Sequence, residues 1–520
     1  MSDSKRLLRS LGSVSGVTML SRVLGYLRDM VIAIVFGAGA ATDVFFVAFR
    51  IPNFLRRLFG EGGFSQAFVP VLSDYQQNRP AEVKDLIDHV VGALFIALVL
   101  VTAVAVLAAP WLVLVIAPGF SGEPDKWLLA TQMLRITFPY LLFISMTAAS
   151  MAILNSRGYF AAPAFSPVLL NLAMIGAALL FSDQFSEPVV ALAWGVFFGG
   201  LLQLLWQLPF LRQLKLIPRL RFRRRHRGVK RVWLLMVPTL FGAGVAQINL
   251  LFDTFLASFL QSGSISWLYY SDRLLEFPLG VFAIALATIM LPDLSRRHAA
   301  GDADGFRHLL DWGTRLAMVI GMPAAAALII LATPLISTLF QYGEFDGTAV
   351  KGATLSLWAY APGLLGAMLV KIYAPGYFAR QNTRSPVRIG IIALAANMVF
   401  NLALIYPLQH AGLALATSLS AFLHAGLLYR GLRSEGVVVI TRTTKALLLR
   451  SVLATTVMAV MLVWVSAQTD WLVAGADQRV GGLLVTVISG LVCYGSVLYV
   501  AGVRLTDLKT GGQESAAVGS

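Results

Sequence analysis

Hydrophobic residues form long, almost unbroken runs along this chain, and short polar connections separate the runs. Residues 90–116, 189–211 and 451–467 are examples. Each of these runs is long enough, or nearly so, to cross a hydrocarbon layer as an α-helix. Strands of a membrane barrel would instead show short segments of alternating polarity. The pattern therefore predicts an all-α polytopic membrane protein with about 14 transmembrane helices.

The predicted segments follow one another with little chain between them, and their ends are placed to within several residues. In chain order they cover 12–37, 41–60, 88–117, 127–155, 163–182, 188–211, 232–260, 264–292, 309–340, 352–379, 385–407, 411–433, 446–468 and 480–503. The composition agrees, since 58% of the 520 residues are hydrophobic and only 13% are charged. A soluble protein of this size would need far more polar surface to cover its core.

The charges in the connections predict how the segments are oriented. The connection after the sixth segment, 211–231, holds ten Lys and Arg residues and no acid. Acids follow odd-numbered segments instead, as at Glu123, Asp125, Asp470 and Asp477. The positive-inside rule then places both termini in the cytoplasm. A run this basic is also typical of an anionic-lipid or nucleic-acid patch, but orientation alone explains it, and we expect no nucleic-acid partner.

Several kinds of site are excluded by residue usage. The single cysteine, Cys493, allows neither a disulfide framework nor a cysteine-based metal site, and the six histidines form no HExxH pair. Arginines interrupt the apolar part of the N-terminus, which argues against a cleaved signal peptide. A membrane enzyme needs carboxylate or histidine clusters in its loops, and the short connections show no DxD or His–Asp cluster. We therefore predict a transporter rather than an enzyme.

An internal repeat of about 220 residues divides the chain. The sequence AFVPVLSDY (67–75) resembles IMLPDLSRR (289–297), and two pairs of prolines recur at nearly the same offset. These pairs are Pro110 with Pro334 and Pro139 with Pro362. An even number of crossings per repeat predicts two parallel six-helix lobes around a central cavity, related by an axis along the membrane normal.

The repeat and the basic connection together predict the domain organisation. We expect an N-terminal lobe (1–211), a basic cytoplasmic loop (212–231), a C-terminal lobe (232–435), two further transmembrane helices (443–504) and a cytoplasmic tail (505–520).

Charged side chains inside the first, second and eighth segments predict a polar site in the membrane. At 100° per residue, Asp43, Arg50, Arg57 and Glu61 share one helical face. An arginine at mid-membrane costs roughly 2.5–3.5 kcal/mol, so the grouped arginines should pair with acids or face water. Arginine forks suit phosphate oxygens, which favours a phosphate or pyrophosphate ligand. The candidate residues are Arg22, Arg28, Asp29, Asp43, Asn53, Arg56, Glu61, Asp272, Arg273, Glu276 and Lys371.

Alternatives to this anion site stay open. The same charges are consistent with internal salt bridges or with helix ends that reach the membrane surface, and Lys371 suits either an anion contact or such a surface lysine. A second set, Asp253, Asn397, Asn401 and Thr417, offers oxygen ligands for a small hard cation such as Na⁺. Ordinary hydrogen bonding between helices is the stronger explanation of this second set.

Four stretches of the chain resemble the MurJ (MviN) lipid II flippases of bacteria. They are SRVLGYLRD, GAGAATDVFFVAFRIPNFLRRLFGEGGFSQAFVP, SGSISWLYYSDRLLEFPLGVFAIALATIMLPDLS and LFQYGEF. The resemblance runs through essentially the whole chain and implies the fold of the multidrug/oligosaccharidyl-lipid/polysaccharide exporters. The implied function is movement of lipid II, undecaprenyl-pyrophosphate-linked MurNAc(pentapeptide)-GlcNAc, from the inner to the outer leaflet by alternating access.

The resemblance also assigns roles to residues. The essential cavity arginines of the family match Arg22, Arg28, Arg56 and Arg273, and its cavity acids and asparagine match Asp29, Asp43, Asn53, Glu61 and Glu276. Some relatives place a cation-binding carboxylate where this chain has Asn401, which weakens the case for coupling to Na⁺. The last two segments would form a groove for the lipid tail.

Rival functions and partners complete the expectations. A flippase or exporter of another polyprenyl-linked saccharide or of a drug, with the same fold, is the nearest alternative. A drug and cation antiporter should prefer acidic or aromatic cavity residues, whereas this cavity carries an excess of positive charge. That excess would let the membrane potential reset the empty carrier. We expect a monomer in the bacterial inner membrane that contacts lipid II and membrane lipids, with cell-wall synthesis proteins as further candidate partners.

Overall fold

Helices account for all the regular secondary structure in the described part of the chain. The structure is a computed structural model that describes residues 2–57, 63–221, 226–280, 284–439 and 441–504. These residues contain nineteen α-helices, and no strand occurs among them. Two compact units are present. Unit 1 runs to Ile265 and includes Tyr342–Phe345, and unit 2 takes the remaining described residues. The predicted all-α class is confirmed.

Unit 1 contains ten helices, two of which arise from breaks in predicted segments. They are α1 (Ser2–Phe36), α2 (Ala40–Arg56), α3 (Ser65–Asn78), α4 (Val83–Leu107), α5 (Ala109–Ile116), α6 (Pro124–Thr137), α7 (Tyr140–Asn155), α8 (Ala161–Leu180), α9 (Val190–Gln213) and α10 (Arg227–Ala257). The breaks before α5 and α7 lie at Pro110 and Pro139. Proline has no N–H to continue a helix but fits a first turn, so a new helix begins at each.

Unit 2 contains the remaining nine helices. They are α11 (Ser264–Pro278), α12 (Ile284–Ala299), α13 (Ala303–Ile330), α14 (Ala332–Phe340), α15 (Gly347–Tyr360), α16 (Gly363–Phe378), α17 (Arg384–Ser434), α18 (Arg442–Ser466) and α19 (Ala476–Val500). The first two residues of α11 belong to unit 1. Within α17, Gln409 has φ 50° and ψ −129°, which is not helical. This residue separates two arms that match the predicted segments 385–407 and 411–433.

Helix starts in the two halves of the chain repeat at a constant offset. Helices α6, α7 and α8 begin at residues 124, 140 and 161, and α15, α16 and α17 begin at residues 347, 363 and 384, which is 223 residues later in each case. The break between α6 and α7 at Pro139 recurs between α15 and α16 at Pro362. This correspondence confirms the repeat predicted from the sequence.

The division of the structure differs from the predicted lobes at one helix. The predicted C-terminal lobe begins at residue 232, which lies in α10, but α10 belongs to unit 1. The reason is that α10 packs against α2, α3 and α4 of unit 1. The repeat defines lobes by sequence position, whereas the compact units reflect packing. The assignment of lobes stays a prediction.

Long apolar helices indicate a multi-pass membrane protein. Among the described residues, eight helices are long and apolar enough to span a bilayer, and the pair α15–α16, bent by 41°, would make a ninth. Large apolar side chains lie on their outer surfaces. Trp111 on α5 and Val500 on α19, for example, are 70% and 85% exposed. Such a surface is typical of lipid contact rather than of a soluble monomer. The number fourteen stays a prediction.

Helices α18 and α19 are tied to unit 2 by polar contacts. The Thr444 hydroxyl donates to Asp311 Oδ1 over 2.7 Å, which joins α18 to α13. Tyr494 on α19 donates to the carbonyl oxygen of Val319 over 2.6 Å. The buried Arg479 donates to the Ser337 carbonyl oxygen over 3.2 Å. The two helices therefore belong to the fold of unit 2. The lipid-tail groove along them stays a prediction, and the predicted tail 505–520 lies outside the described residues.

Candidate anion site

Arg28 on α1 forms a buried ion pair with the residue that follows it. Its guanidinium donates to Asp29 Oδ1 from Nε over 3.0 Å and from Nη2 over 2.6 Å. Nη1 donates to Asn171 Oδ1 of α8 over 3.1 Å, and Asn171 in turn donates to the Ser21 carbonyl oxygen over 3.1 Å. Arg28 is 8% exposed and Asp29 is 2% exposed. The pairing lowers the cost of burying both charges, as the sequence analysis required.

One polar face of α2 lies against the chain of α10 rather than standing open. Asp43 Oδ2 accepts from the backbone N–H of Gly263 over 2.7 Å, and Asp43 is buried. Arg50 donates to the Thr254 hydroxyl. Arg57 and Gln247 form a third contact, in which Arg57 Nη1 donates to the Gln247 side-chain oxygen over 3.4 Å. In this structure these three side chains therefore join α2 to α10 and the residues that follow it. Glu61, predicted on the same face, lies outside the described residues.

Arg56 lies on a different face of α2 from those three. Its Nε donates to Asn53 Oδ1 over 2.9 Å, and both side chains are half-buried. The spacing of three residues puts the two side chains side by side on the helix. Arg56 and Asn53 thus remain together as a polar patch of unit 1 with partial exposure.

In unit 2, Arg273 contacts two residues of its own helix, Glu276 and Tyr269. Its Nη1 donates to Glu276 Oε2 over 2.7 Å, and Nη2 donates to the Tyr269 hydroxyl over 3.1 Å. The guanidinium carbon lies 4.9 Å from the centre of the Tyr269 ring, within cation–π range. The Arg273 and Glu276 side chains are 31% and 49% exposed. Asp272 beside them is half-buried and makes contacts of its own. Arg273 is therefore held in place while part of its fork stays accessible.

Two predicted basic residues are exposed. Arg22 on α1 and Lys371 on α16 both have exposed side chains. Their exposure is compatible with an anion contact and with a membrane-surface position, so the two interpretations of Lys371 stay open. The ten described residues of the predicted set therefore occupy different environments, from the buried Arg28 to the exposed Arg22, and the joint role of the set as one site stays a prediction.

The four residues of the predicted cation site are only partly brought together. Asn401 Nδ2 donates to Asn397 Oδ1 over 2.9 Å, and both are buried on the first arm of α17. The hydroxyl of Thr417, on the second arm, donates to the Leu413 carbonyl oxygen of its own helix over 3.2 Å. Asp253 lies half-buried on α10 in unit 1. A Na⁺ site built from all four stays a prediction.

The structure adds two residues that sequence reasoning missed. Asn171 is the amide that joins Arg28 to α8, and its signal was an isolated polar residue in the apolar stretch PVLLNLAM. Tyr269 lies four residues before Arg273, one helical turn away, where an aromatic ring can meet the guanidinium. Both residues position arginines of the candidate site.

At the end of unit 1 that carries the basic connection, α3 is joined to α10. Arg231 of α10 forms an ion pair with Asp74 of α3. Hydrogen bonds from Asn78 and then Arg231 lower the pKa of the Asp74 carboxyl below its usual value. Asp74 is therefore ionised at neutral pH, which keeps this surface contact between the two helices.

The family model for the lipid II flippase MurJ matches residues 32–476 of the chain. A probable lipid II flippase MurJ of Vibrio cholerae is 49% identical over 97% of this chain and 98% of its own length. A probable lipid II flippase MurJ of Haemophilus influenzae is 46% identical, over 95% of this chain and its whole length. The lipid II flippase MurJ of Burkholderia cenocepacia is 42% identical over 89% of this chain and 91% of its own length.

Solved structures agree with the sequence comparisons. A lipid II flippase MurJ in an inward closed conformation superposes with a TM-score of 0.79 at 25% identity, covering 94% of this chain and 99% of that one. An inward-facing transporter of the multidrug resistance MATE family, from the MOP superfamily, superposes with a TM-score of 0.66 at 14% identity, covering 82% of this chain and 98% of that one. The second likeness shows the fold alone. The chain belongs to the lipid II flippase MurJ family.

Proposed function

We propose that this chain moves lipid II from the inner to the outer leaflet of the bacterial inner membrane, as a transporter and not as an enzyme. The observation that carries the proposal is the family match over residues 32–476, supported by relatives of 42–49% identity that are named as lipid II flippases or probable ones. Lipid II carries a pyrophosphate between its lipid and its sugars. The flippase must therefore provide cationic donors for a doubly charged group inside the membrane.

The arginines are the natural ligands of that pyrophosphate in this proposal. Arg273 is half-buried and fixed by Tyr269 and Glu276, so its fork needs little ordering when it binds. Arg56 beside Asn53 offers a second partly exposed fork. Arg28 is already engaged by Asp29, so we assign it to shaping the site around the head group unless that pair opens. The remaining predicted residues of the candidate anion site complete the polar surroundings of the head group in this proposal.

The proposed cycle is alternating access. The head group enters from the cytoplasmic side, is held by the arginines, and is released on the outer side while the lipid tail stays in the bilayer along α18 and α19. Both termini lie in the cytoplasm in this proposal, because the ten basic residues of 211–231 should remain on that side. A reporter that is active only outside the inner membrane should therefore be silent when fused to the C-terminus.

Translocation by the purified full-length protein in lipid vesicles tests the proposal. Labelled lipid II in the inner leaflet should become accessible from outside with the wild type and not with Arg273→Ala. Arg273→Lys should restore the charge but only part of the rate, because an ammonium cannot bind phosphate bidentately. Arg296→Ala removes an exposed arginine on α12 that pairs with Asp293, and it should transport normally.

The outcome that would overturn the proposal is specific. Wild-type protein that folds but leaves lipid II where it was placed would contradict flippase activity. Full transport by Arg273→Ala would be consistent with flippase activity but would show that Arg273 is not required for binding the substrate. Replacing Na⁺ by K⁺ in the same vesicles tests the remaining candidate, Na⁺ as a coupling ion at Asn397 and Asn401, which predicts a lower rate in K⁺.

A further inference from the structure

Two histidines and an aspartate meet where α10 begins, in unit 1. Asp85 and His89 lie one turn apart on α4, and His226 directly precedes α10. The Asp85 carboxylate oxygens lie 3.3 Å from His89 Nδ1 and 3.2 Å from His226 Nε2. Ligand-capable atoms of the three side chains all lie within 4.8 Å of one another. No His–Asp cluster was predicted from the sequence, since 141 positions separate Asp85 from His226 along the chain.

The packing of the connection on α4 fixes the position of His226. A Cβ added at Gly228 would lie 2.2 Å from Leu86 Cδ1, so the first turn of α10 sits directly on α4. On the other side of residues 222–225, the backbone N–H of Arg219 donates to Asp88 Oδ1 over 2.8 Å. Arg219 and Gly228, the contacting residues before and after it among the described ones, are therefore held on α4, which is the support that a metal site needs around its ligands.

The two imidazoles present their nitrogens to the same carboxylate. Their rings are stacked, with centres 4.7 Å apart and planes 10° apart. The His89 and His226 side chains are only 11% and 14% exposed, while that of Asp85 is 49% exposed. The cluster is thus buried on the histidine side and open on the aspartate side, where an ion could arrive from water.

We propose that Asp85, His89 and His226 bind a divalent transition-metal ion, with Zn²⁺ as the best fit. Two imidazole nitrogens and one carboxylate oxygen form a ligand set that Zn²⁺ commonly uses, with water at the fourth position. For ligand distances of about 2.0–2.1 Å, the edge of a tetrahedral site is about 3.3 Å. Each contact from Asp85 to an imidazole has about this length, but the two start from different carboxylate oxygens. A single carboxylate oxygen as ligand therefore keeps one of them, and one ring must turn out of the stack for both nitrogens to reach the ion.

Metal binding would exchange hydrogen bonds of these side chains for ligand bonds. His89 Nδ1 lies 2.9 Å from the Asp85 carbonyl oxygen, and His226 Nδ1 accepts from the Val229 backbone N–H over 3.4 Å. When the nitrogens facing the carboxylate bind the ion, each imidazole keeps its proton on its other nitrogen. His226 then stops capping α10, and the bond it gives up is long and weak.

The types of ligand favour Zn²⁺ over hard cations. A neighbouring cavity of about 580 Å³ is lined by Asp85, Asp88 and five basic residues, which are Lys84, Arg212, Lys215, Arg219 and Arg221. Lys84 forms its ion pair with Asp88 and not with Asp85. Mg²⁺ and Ca²⁺ rely on several oxygen ligands and would find one free carboxylate in a basic setting. Zn²⁺ is held through the neutral imidazoles, and it would clamp the start of α10 to α4.

Zinc retention by the tag-free, full-length protein in detergent micelles tests this site. After treatment with EDTA, incubation with Zn²⁺ and desalting, we expect about one zinc ion per wild-type chain by elemental mass spectrometry. His226→Ala and Asp85→Asn should bind Zn²⁺ at least about tenfold more weakly. His308→Ala changes an exposed histidine on α13 and should bind like the wild type. Co²⁺ in place of Zn²⁺ should give the strong visible absorption of a four-coordinate site.

Melting temperatures separate metal binding from folding. In EDTA, His226→Ala and the wild type should melt within a few degrees of each other, since the variant loses only a weak cap, one contact with the half-exposed Asp85 and the stacking on His89. Added Zn²⁺ should raise the melting temperature of the wild type and of His308→Ala, and it should not raise that of His226→Ala. Wild-type protein that retains no zinc, or His226→Ala that retains as much as the wild type, would overturn the proposal. Neither result depends on lipid II transport.

Discussion

At the scale of single residues, the buried pair of Arg28 and Asp29 allows binding to be separated from folding. Arg28→Ala leaves the Asp29 carboxylate buried without its strongest partner, and we expect a loss of about 3–5 kcal/mol in unfolding free energy. Arg28→Ala combined with Asp29→Asn removes both charges and should recover most of that loss. Thermal unfolding followed by tryptophan fluorescence in micelles measures both effects.

If Arg28 only shapes the site around the head group, transport should recover together with stability in the double variant. If the Arg28 guanidinium contacts the substrate, the double variant should remain as inactive as Arg28→Ala despite its recovered stability. Recovery of transport together with stability would assign Arg28 a purely structural role. Equal melting temperatures for the single and double variants would contradict the ion pair itself.

Residue patterns in the sequence predict directions on a helix but not the neighbours that lie in those directions. Helical periodicity grouped Asp43, Arg50 and Arg57 correctly on one face of α2, and the structure shows that this face meets α10 and the residues after it. The identity of the facing helix depends on tertiary packing between residues about 200 positions apart. For the same reason, the contacts of Asn171 with Arg28 and of His226 with Asp85 were not predicted from the sequence. Charge and periodicity alone contain no information on such long-range contacts.

At the scale of elements, the break in α17 predicts opposite changes in unfolding free energy for substitutions at two positions three residues apart. Gln409 has a positive φ that glycine adopts without strain, so Gln409→Gly should raise the unfolding free energy by up to about 1 kcal/mol. A Cβ at Gly412 would lie 2.2 Å from the Leu404 carbonyl oxygen, so Gly412→Ala should lower the unfolding free energy by about 1–3 kcal/mol.

Another glycine of the same helix, Gly426, provides the control for that pair. No atom lies within 4 Å of a Cβ built at Gly426, so Gly426→Ala should be neutral or stabilising, as alanine generally is in a helix. Melting temperatures of the three variants in micelles should therefore rank Gly412→Ala below the wild type and the other two at or above it. A melting temperature of Gly412→Ala at or above that of the wild type would contradict the tight turn between the two arms.

Helix boundaries were predicted well where an apolar run ends, and poorly where an apolar run continues across a break between two helices. The gap between segments 385–407 and 411–433 matches the break at Gln409. The segments 88–117 and 127–155 were predicted as single helices, yet each is divided at a proline, Pro110 and Pro139. Apolar composition is the same on both sides of such a break, so hydropathy does not reveal it. The prolines do, once their effect on the helix backbone is considered.

At the scale of the whole molecule, the repeat was the most informative feature of the sequence. Corresponding helices begin 223 residues apart along the chain. Because a repeat is a property of the order of residues, a single sequence was sufficient to predict it. The compact units depend on packing as well, and α10 joins unit 1 although the repeat places it in the second half. The order of helices along the chain therefore predicts the repeat, and packing between helices decides which compact unit each helix belongs to.

The charges of the proposed site set the response of transport to the membrane potential. The sequence suggested an excess of positive charge, but the structure joins Arg28 to Asp29 and Arg273 to Glu276, and each pair sums to zero. Moving one elementary charge across 100 mV is worth about 2.3 kcal/mol, whereas a neutral pair contributes almost nothing. We therefore expect a potential, negative inside, to speed the return of the empty wild-type carrier only modestly.

Glu276→Gln should steepen that response, because it leaves the Arg273 charge without its carboxylate. The quantity to measure in reconstituted vesicles is the ratio of translocation rates with and without an imposed potential. This ratio removes any loss of absolute rate that the substitution causes. Asp293→Asn, which frees the exposed Arg296 on α12, is the matched control and should keep the wild-type ratio. A ratio of one for the wild type and for Glu276→Gln alike would show that the potential does not act through the charge of Arg273.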